Sequence, residues 1–313
     1  AAGGVKVGDK TYKLALNFQD DQAEVDKAVN AYNSLMDSGI NVLMGAVTSG
    51  SSLAITDLTA KDNILQITPS GSAAEITENP NVFRLCFTDP IQGKMIADFV
   101  VEQGYESVAV LYNNSDEYST GVYESFKAEL ESAGKASLLV DEQSFANGDV
   151  DFTTQLTQIK ASGAKLIFVP GYYEAAAYIV QQAAQQGIEA QFVGSDGWDG
   201  VLAQVTDPQA VEGAIFLSPF LASDPSASKF TSAYESAYKA TPDQFAADGY
   251  DTVYVIKAAM EKAGDIKSDA LIGAMTEIEV DGITGKVSFN ADGEPNKEPK
   301  FVTITNGEYK LFE

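Results

Sequence analysis

Two serine-rich loops hold the first residues suited to gripping a small polar ligand: TSGSS at 48–52 and TPSGSAAE at 68–75. Ser49 and Gly50 stand just before a helical pattern that opens at Ser51. A hydroxyl and backbone N–H groups there would meet a carboxylate at the positive end of a helix. In the second loop the carbonyl of Ser70 and the hydroxyl of Ser72 are placed to receive an ammonium group. A second cluster occupies the middle of the chain: Tyr118 in DEYSTG, Tyr172 and Tyr173 in VPGYYEA, and Asp196 with Trp198 in VGSDGWDG. One carboxylate among aromatic rings neutralises an ammonium through a charge-assisted hydrogen bond and a cation–π contact. The same residues also fit a plainer reading. In it the serines are helix caps and turns, the rings are core, and Asp196 is a turn residue.

Other chemistries lack their tools. The 313 residues contain no His and one Cys, so a Ser-His-Asp triad, a Cys-His pair and a typical zinc site are excluded. Cys86, in the apolar FRLCF, reads as a buried inert thiol, and no disulfide can form within the chain. NADGEPNKEP suggests a calcium loop through Asn290, Asp292 and Glu294, but its twelfth position is Phe301 and no flanking helices are present. It reads as a β-turn. No metal or cofactor site is expected. The formal net charge of -25 repels phosphate backbones and anionic membrane faces, which excludes nucleic acid as a partner.

The elements that must position these loops alternate. Short β-branched runs at 13–18, 41–44, 65–68, 107–112, 166–169 and 192–194 read as strands. Helical periods separate them at 22–37, 51–61, 91–103, 119–133, 151–161 and 173–186. That is the pattern of mostly parallel sheets flanked by helices, an α/β fold. After Leu217 three helical patterns follow, at 226–239, 246–263 and 268–275, and strands return at 287–289 and 301–304. Length favours two lobes with separate cores, and no apolar run reaches the ~20 residues of a membrane span.

GAVTSGSS, ITPSGSAAE, DEYSTGVYESF, GYYEA and FVGSDGW, in this order, resemble the leucine/isoleucine/valine-binding protein family of ABC-transporter receptors. The resemblance implies a two-lobed type I periplasmic-binding-protein fold with a three-strand hinge. Residues 1–87 and 221–285 would form lobe one, and 91–217 and 288–313 lobe two, with crossings near 88–90, 218–220 and 285–287. It implies that Ser49 holds the ligand carboxylate, with Gly50 beside it. The Ser70 carbonyl and Ser72 hydroxyl lie alongside, Asp196 pairs with the ammonium, Tyr118 and Tyr172 close over the ligand, and Trp198 and Phe245 line the pocket. The family begins with a strand and a helix ahead of the Gly-Gly-containing turn, and this chain starts at that turn, so the first strand and helix of lobe one are expected to be absent.

The function so implied is capture of a neutral amino acid, branched aliphatic or aromatic, by hinge closure. The expected partner is the membrane permease of an ABC transporter, served by a monomer outside the cytoplasm, in the periplasm or as a cell-surface lipoprotein. Two rival readings stand beside it: a ligand-sensing domain of the same fold without a transport role, and an amidohydrolase using one of the serines. The amidohydrolase needs an activated nucleophile, and neither serine loop contains a Ser-x-x-Lys motif.

Overall fold

In the computed structural model, which describes residues 3–313, the chain opens with a hairpin of β1 (Val5–Val7) and β2 (Lys10–Tyr12), paired antiparallel from Val5↔Tyr12 to Val7↔Lys10. Then come α1 (Val25–Asp37), β3 (Val42–Met44), α2 (Ser49–Lys61), β4 (Leu65–Thr68) and β5 (Val82–Arg84). A second run comprises α3 (Asp89–Glu102), β6 (Val108–Asn113), α4 (Glu117–Ser132), β7 (Leu139–Phe145), α5 (Thr153–Ser162), β8 (Leu166–Val169), α6 (Tyr173–Gln185), β9 (Gln191–Gly194) and β10 (Ile215–Ser218). The chain continues through α7 (Ser228–Tyr238), α8 (Gln244–Ala263), α9 (Ser268–Met275), β11 (Glu279–Gly282) and β12 (Gly285–Ser288). It ends with β13 (Lys300–Thr305) and β14 (Glu308–Leu311).

Two compact units result. The first comprises the chain to Phe87 together with Lys229–Glu298, and the second Thr88–Ser228 with Pro299–Glu313. In the first unit β3, β4 and β5 make a parallel sheet, and its core gathers Leu65, Ile67, Leu85, Val255, Leu271 and Met275. In the second, seven strands run in the order β14-β13-β10-β9-β8-β6-β7, parallel from β10 to β7 and antiparallel at β13 and β14. Its central strands β8 and β10 are buried at every residue, as expected where helices cover both faces of a parallel sheet. Helix ends follow local chemistry. Asp116 caps α4 by accepting the Ser119 N–H at 2.8 Å, and α5 stops at Gly163, whose φ of 74° is open to glycine at little cost.

The structure departs from the sequence reading at several points. Residues 13–18 are not a strand: no neighbouring strand pairs with them, and Leu14, Leu16 and Phe18 are 43%, 68% and 79% exposed. The periodicity reading omits the β1–β2 hairpin, β7, β11 and β14, which are short or outwardly polar, and also β10, whose four residues are all buried. The third boundary between units falls after Glu298 rather than near 285–287, because β12 stays paired with β11 and buried Lys297 reaches Asp248 at 3.7 Å. The second falls after Ser228 rather than at 218–220. Residues 1–2, included in the expected first lobe, lie outside the described residues.

Candidate functional site

In the first unit the two serine loops leave the carboxyl ends of adjacent parallel strands, β3 and β4, the edge at which open α/β sheets bind ligands. They are stitched together. Ser49, the first residue of α2, accepts the backbone N–H groups of Ser72 and Ala73 on its Oγ, both at 3.1 Å. The Ser70 hydroxyl donates to the Val47 carbonyl at 2.9 Å, and the Thr68 hydroxyl donates to the Ala46 carbonyl at 2.7 Å. With both lone pairs of Ser49 Oγ occupied, what that hydroxyl has left to offer is its proton. Ser49 and Ser72 are each 1% exposed, whereas Gly50 and Ser70 are half-buried. Phe245 sits partly exposed in the first turn of α8, behind the cap that Asp243 makes to the Ala246 N–H.

In the second unit Tyr118, Tyr172 and Asp196 follow β6, β8 and β9, three neighbouring strands, again at their carboxyl ends. The rings of Tyr118 and Tyr172 lie 4.9 Å apart. The Tyr118 phenol oxygen is 2.5 Å from Asp196 Oδ1 and 2.6 Å from Ser195 Oγ, and the Gly197 N–H donates to it at 2.8 Å. A phenol has one proton. Tyr118 gives it to the carboxylate and accepts from the Ser195 hydroxyl and from Gly197. Burial pushes the phenol well above its ordinary pKa and the Asp196 charge adds to that, so Tyr118 stays protonated as a donor.

Trp198 is the remaining residue expected to line the pocket. It is fully buried in the core of the second unit with Val169, Ala176, Val201 and Phe216, and its indole N–H donates to the Val169 carbonyl at 2.9 Å. Gly194 makes room for the ring, since a Cβ there would lie 2.3 Å from it.

Three supporting residues were missed. The Ser195 hydroxyl oxygen accepts the Gly171 N–H at 3.1 Å, Gln92 Oε1 on α3 accepts the Asp196 N–H at 3.0 Å, and Arg84 braces the second serine loop. Ser195 directly precedes Asp196 in VGSDGW, so the motif itself contains it. Gln92 and Arg84 act on residues brought near only by folding, and no local spacing marks them. Among the described residues no cluster of three His, Cys, Asp or Glu side chains is arranged to hold a metal ion.

A family model described as periplasmic binding protein matches residues 1–308. The Leu/Ile/Val-binding protein homolog 3 of Brucella melitensis is 28% identical over 273 residues, covering 87% of this chain and 73% of the relative. Among solved structures, the branched-chain amino acid transporter substrate binding protein LivJ of Streptococcus pneumoniae, in complex with isoleucine, superposes with a TM-score of 0.90 at 29% identity. That match covers 99% of this chain and 88% of the other. A solute binding protein of an ABC transporter from R. palustris, in complex with benzoate, has the same TM-score of 0.90 at 22% identity, covering 99% and 86%.

Proposed function

Because the chain belongs to the periplasmic binding protein family, whose members bind solutes and are not enzymes, we propose that it captures a free, neutral amino acid and delivers it to the permease of an ABC transporter. It works outside the cytoplasmic membrane, as a monomer, in the periplasm or held at the surface by a lipid anchor. No helix among the described residues is long and apolar enough to cross a membrane.

The observation that carries the reading is Asp196: a carboxylate 4% exposed, held by the Tyr118 phenol, beside the paired rings of Tyr118 and Tyr172. A buried carboxylate favours a cation, and among small solutes an ammonium with an adjacent carboxylate matches it best. Ser49, able only to donate, and the first N–H groups of α2 take the carboxylate. The Ser70 carbonyl and the Ser72 hydroxyl assist with the ammonium. Asp196 also argues against a simple carboxylate such as the benzoate in the R. palustris relative, because that ligand brings no cation.

A dicarboxylic amino acid would want an arginine for its second acid. The one Arg, Arg84, is engaged elsewhere, donating to three backbone carbonyls and to Glu294. Branched aliphatic ligands rank first because the S. pneumoniae and B. melitensis relatives are named for them, and aromatic ones second. A thermal-shift panel of the twenty amino acids plus benzoate tests the specificity, since a ligand of the folded state raises Tm with the logarithm of its excess over Kd. Leucine, isoleucine, valine or phenylalanine should stabilise the protein. A response to glutamate, aspartate, lysine or arginine without those four would overturn the specificity, and a response to benzoate alone would remove the role given to Asp196.

A further inference from the structure

Arg84 ends β5 with 0% of its surface exposed. Its Nη1 donates to the carbonyls of Gly71 at 3.1 Å and Ala73 at 2.8 Å, and its Nη2 to that of Ala74 at 3.0 Å. Those carbonyls bracket Ser72. Its Nε meets the Glu294 carboxylate at 2.9 Å, and the same carboxylate accepts the Thr77 hydroxyl at 2.7 Å, so Glu294 grips both the arginine and the end of the loop. Glu294 belongs to the turn that fails as a calcium loop, and that turn is seated closely on β5. The Gly293 carbonyl accepts the Arg84 N–H at 3.2 Å, and a Cβ on Gly293 would lie 2.4 Å from the Val82 carbonyl oxygen.

A buried ion pair is a weak source of stability, because apolar residues of similar volume often serve as well. What a planar guanidinium supplies that they do not is fixed direction: several donors in one plane, each setting the orientation of a carbonyl. Resting on the amino-acid reading above, we infer that Arg84 and Glu294 are positioning residues for ligand recognition. They fix the peptide planes of 71–74 and so aim the Ser70 carbonyl and the Ser72 hydroxyl at the ammonium, touching no ligand themselves. The NADGEPNKEP turn is therefore a clasp on the binding loop.

The test is calorimetric titration of leucine into the wild type, Arg84→Lys and Glu294→Gln, each with and without Ser72→Ala, since residues that act through Ser72 lose their effect once its hydroxyl is gone. Arg84→Lys keeps the charge but loses the fork, and should weaken leucine at least tenfold with Ser72 present and less than threefold without it. Glu294→Gln, which keeps the volume and protects the test should the lysine variant fold poorly, should weaken leucine at least threefold with Ser72 present and less than twofold without it. Equal losses in the two backgrounds, or leucine affinity within twofold of wild type in both single variants, would overturn the inference while leaving the amino-acid reading intact. A wild-type protein that binds no neutral amino acid would sink that reading and the inference with it.

Discussion

Asp196 and Trp198 stand two residues apart in one motif, yet Asp196 is held by the Tyr118 phenol while Trp198 is packed in the core of the second unit. Removing Asp196 would leave a ligand ammonium unpaired in a desolvated site, so Asp196→Ala should cost ~3 to 5 kcal/mol of binding with little effect on folding. Ser72→Ala removes one hydrogen bond to a charged group and should cost less, ~1 to 3 kcal/mol. Trp198→Ala should behave in the reverse way. It empties a core site and strands the Val169 carbonyl, so ~3 to 5 kcal/mol of stability is lost. Denaturant unfolding beside calorimetry separates the two, and a Trp198 variant that binds poorly at full stability would restore it to the pocket. The motif alone could not make this division, because DGW shows which residues turn together but not which ring lies under which strand. The serine loops were legible because caps, turns and carboxylate sites all need hydroxyls at strand ends. Arg84 and Glu294 were not, because 210 positions separate them and only the fold makes them neighbours.

Helix α4 carries a titration that bears on the position of Tyr118. Burial pushes the Asp116 carboxyl up to about 6 from an ordinary 3.8, against the lowering effect of the Ser119 N–H it caps. The folded state therefore holds this proton more tightly than the unfolded chain. The contribution of Asp116 is most favourable below the unfolded value and is lost as pH rises through about 6, to the extent of up to ~3 kcal/mol. Asn caps a helix as well as Asp does and never ionises. Asp116→Asn should thus raise Tm above pH 7 and flatten its slope between pH 4 and 6, and an unchanged slope would contradict the assignment. At 13–18 the alternating KLALNF pattern is the usual sequence signal of a strand. It cannot report whether a partner strand lies alongside, and Leu16 and Phe18 remain exposed. Replacing both by Ser should leave Tm almost unchanged, within the ±0.5 kcal/mol usual for surface sites, while raising the concentration at which light scattering appears. A large fall in Tm would show that the segment is paired in solution. Elsewhere period and element agree: α9 ends at Met275 as its period predicts, and β8 is legible as the unbroken apolar run LIFV, whereas the fully buried β4 carries Gln66 and Thr68.

Over the whole chain, each unit has its own core, and 45 Asp and Glu stand against 20 Lys and Arg. Mutual repulsion at that charge suits a dispersed monomer, which light scattering coupled to size exclusion would register as a single 33.2 kDa species. Capture of a free neutral amino acid, as proposed, depends on the charge of Asp196. Calorimetric titration of leucine into wild-type protein and into Asp196→Asn tests it most directly, because the substitution keeps shape and Tyr118's neighbour while removing only the charge. Saturable one-to-one binding by the wild type and at least a hundredfold weaker binding by the variant are expected, with both proteins melting within a few degrees of each other. Leucine affinity within threefold of wild type in the folded variant would contradict the proposal.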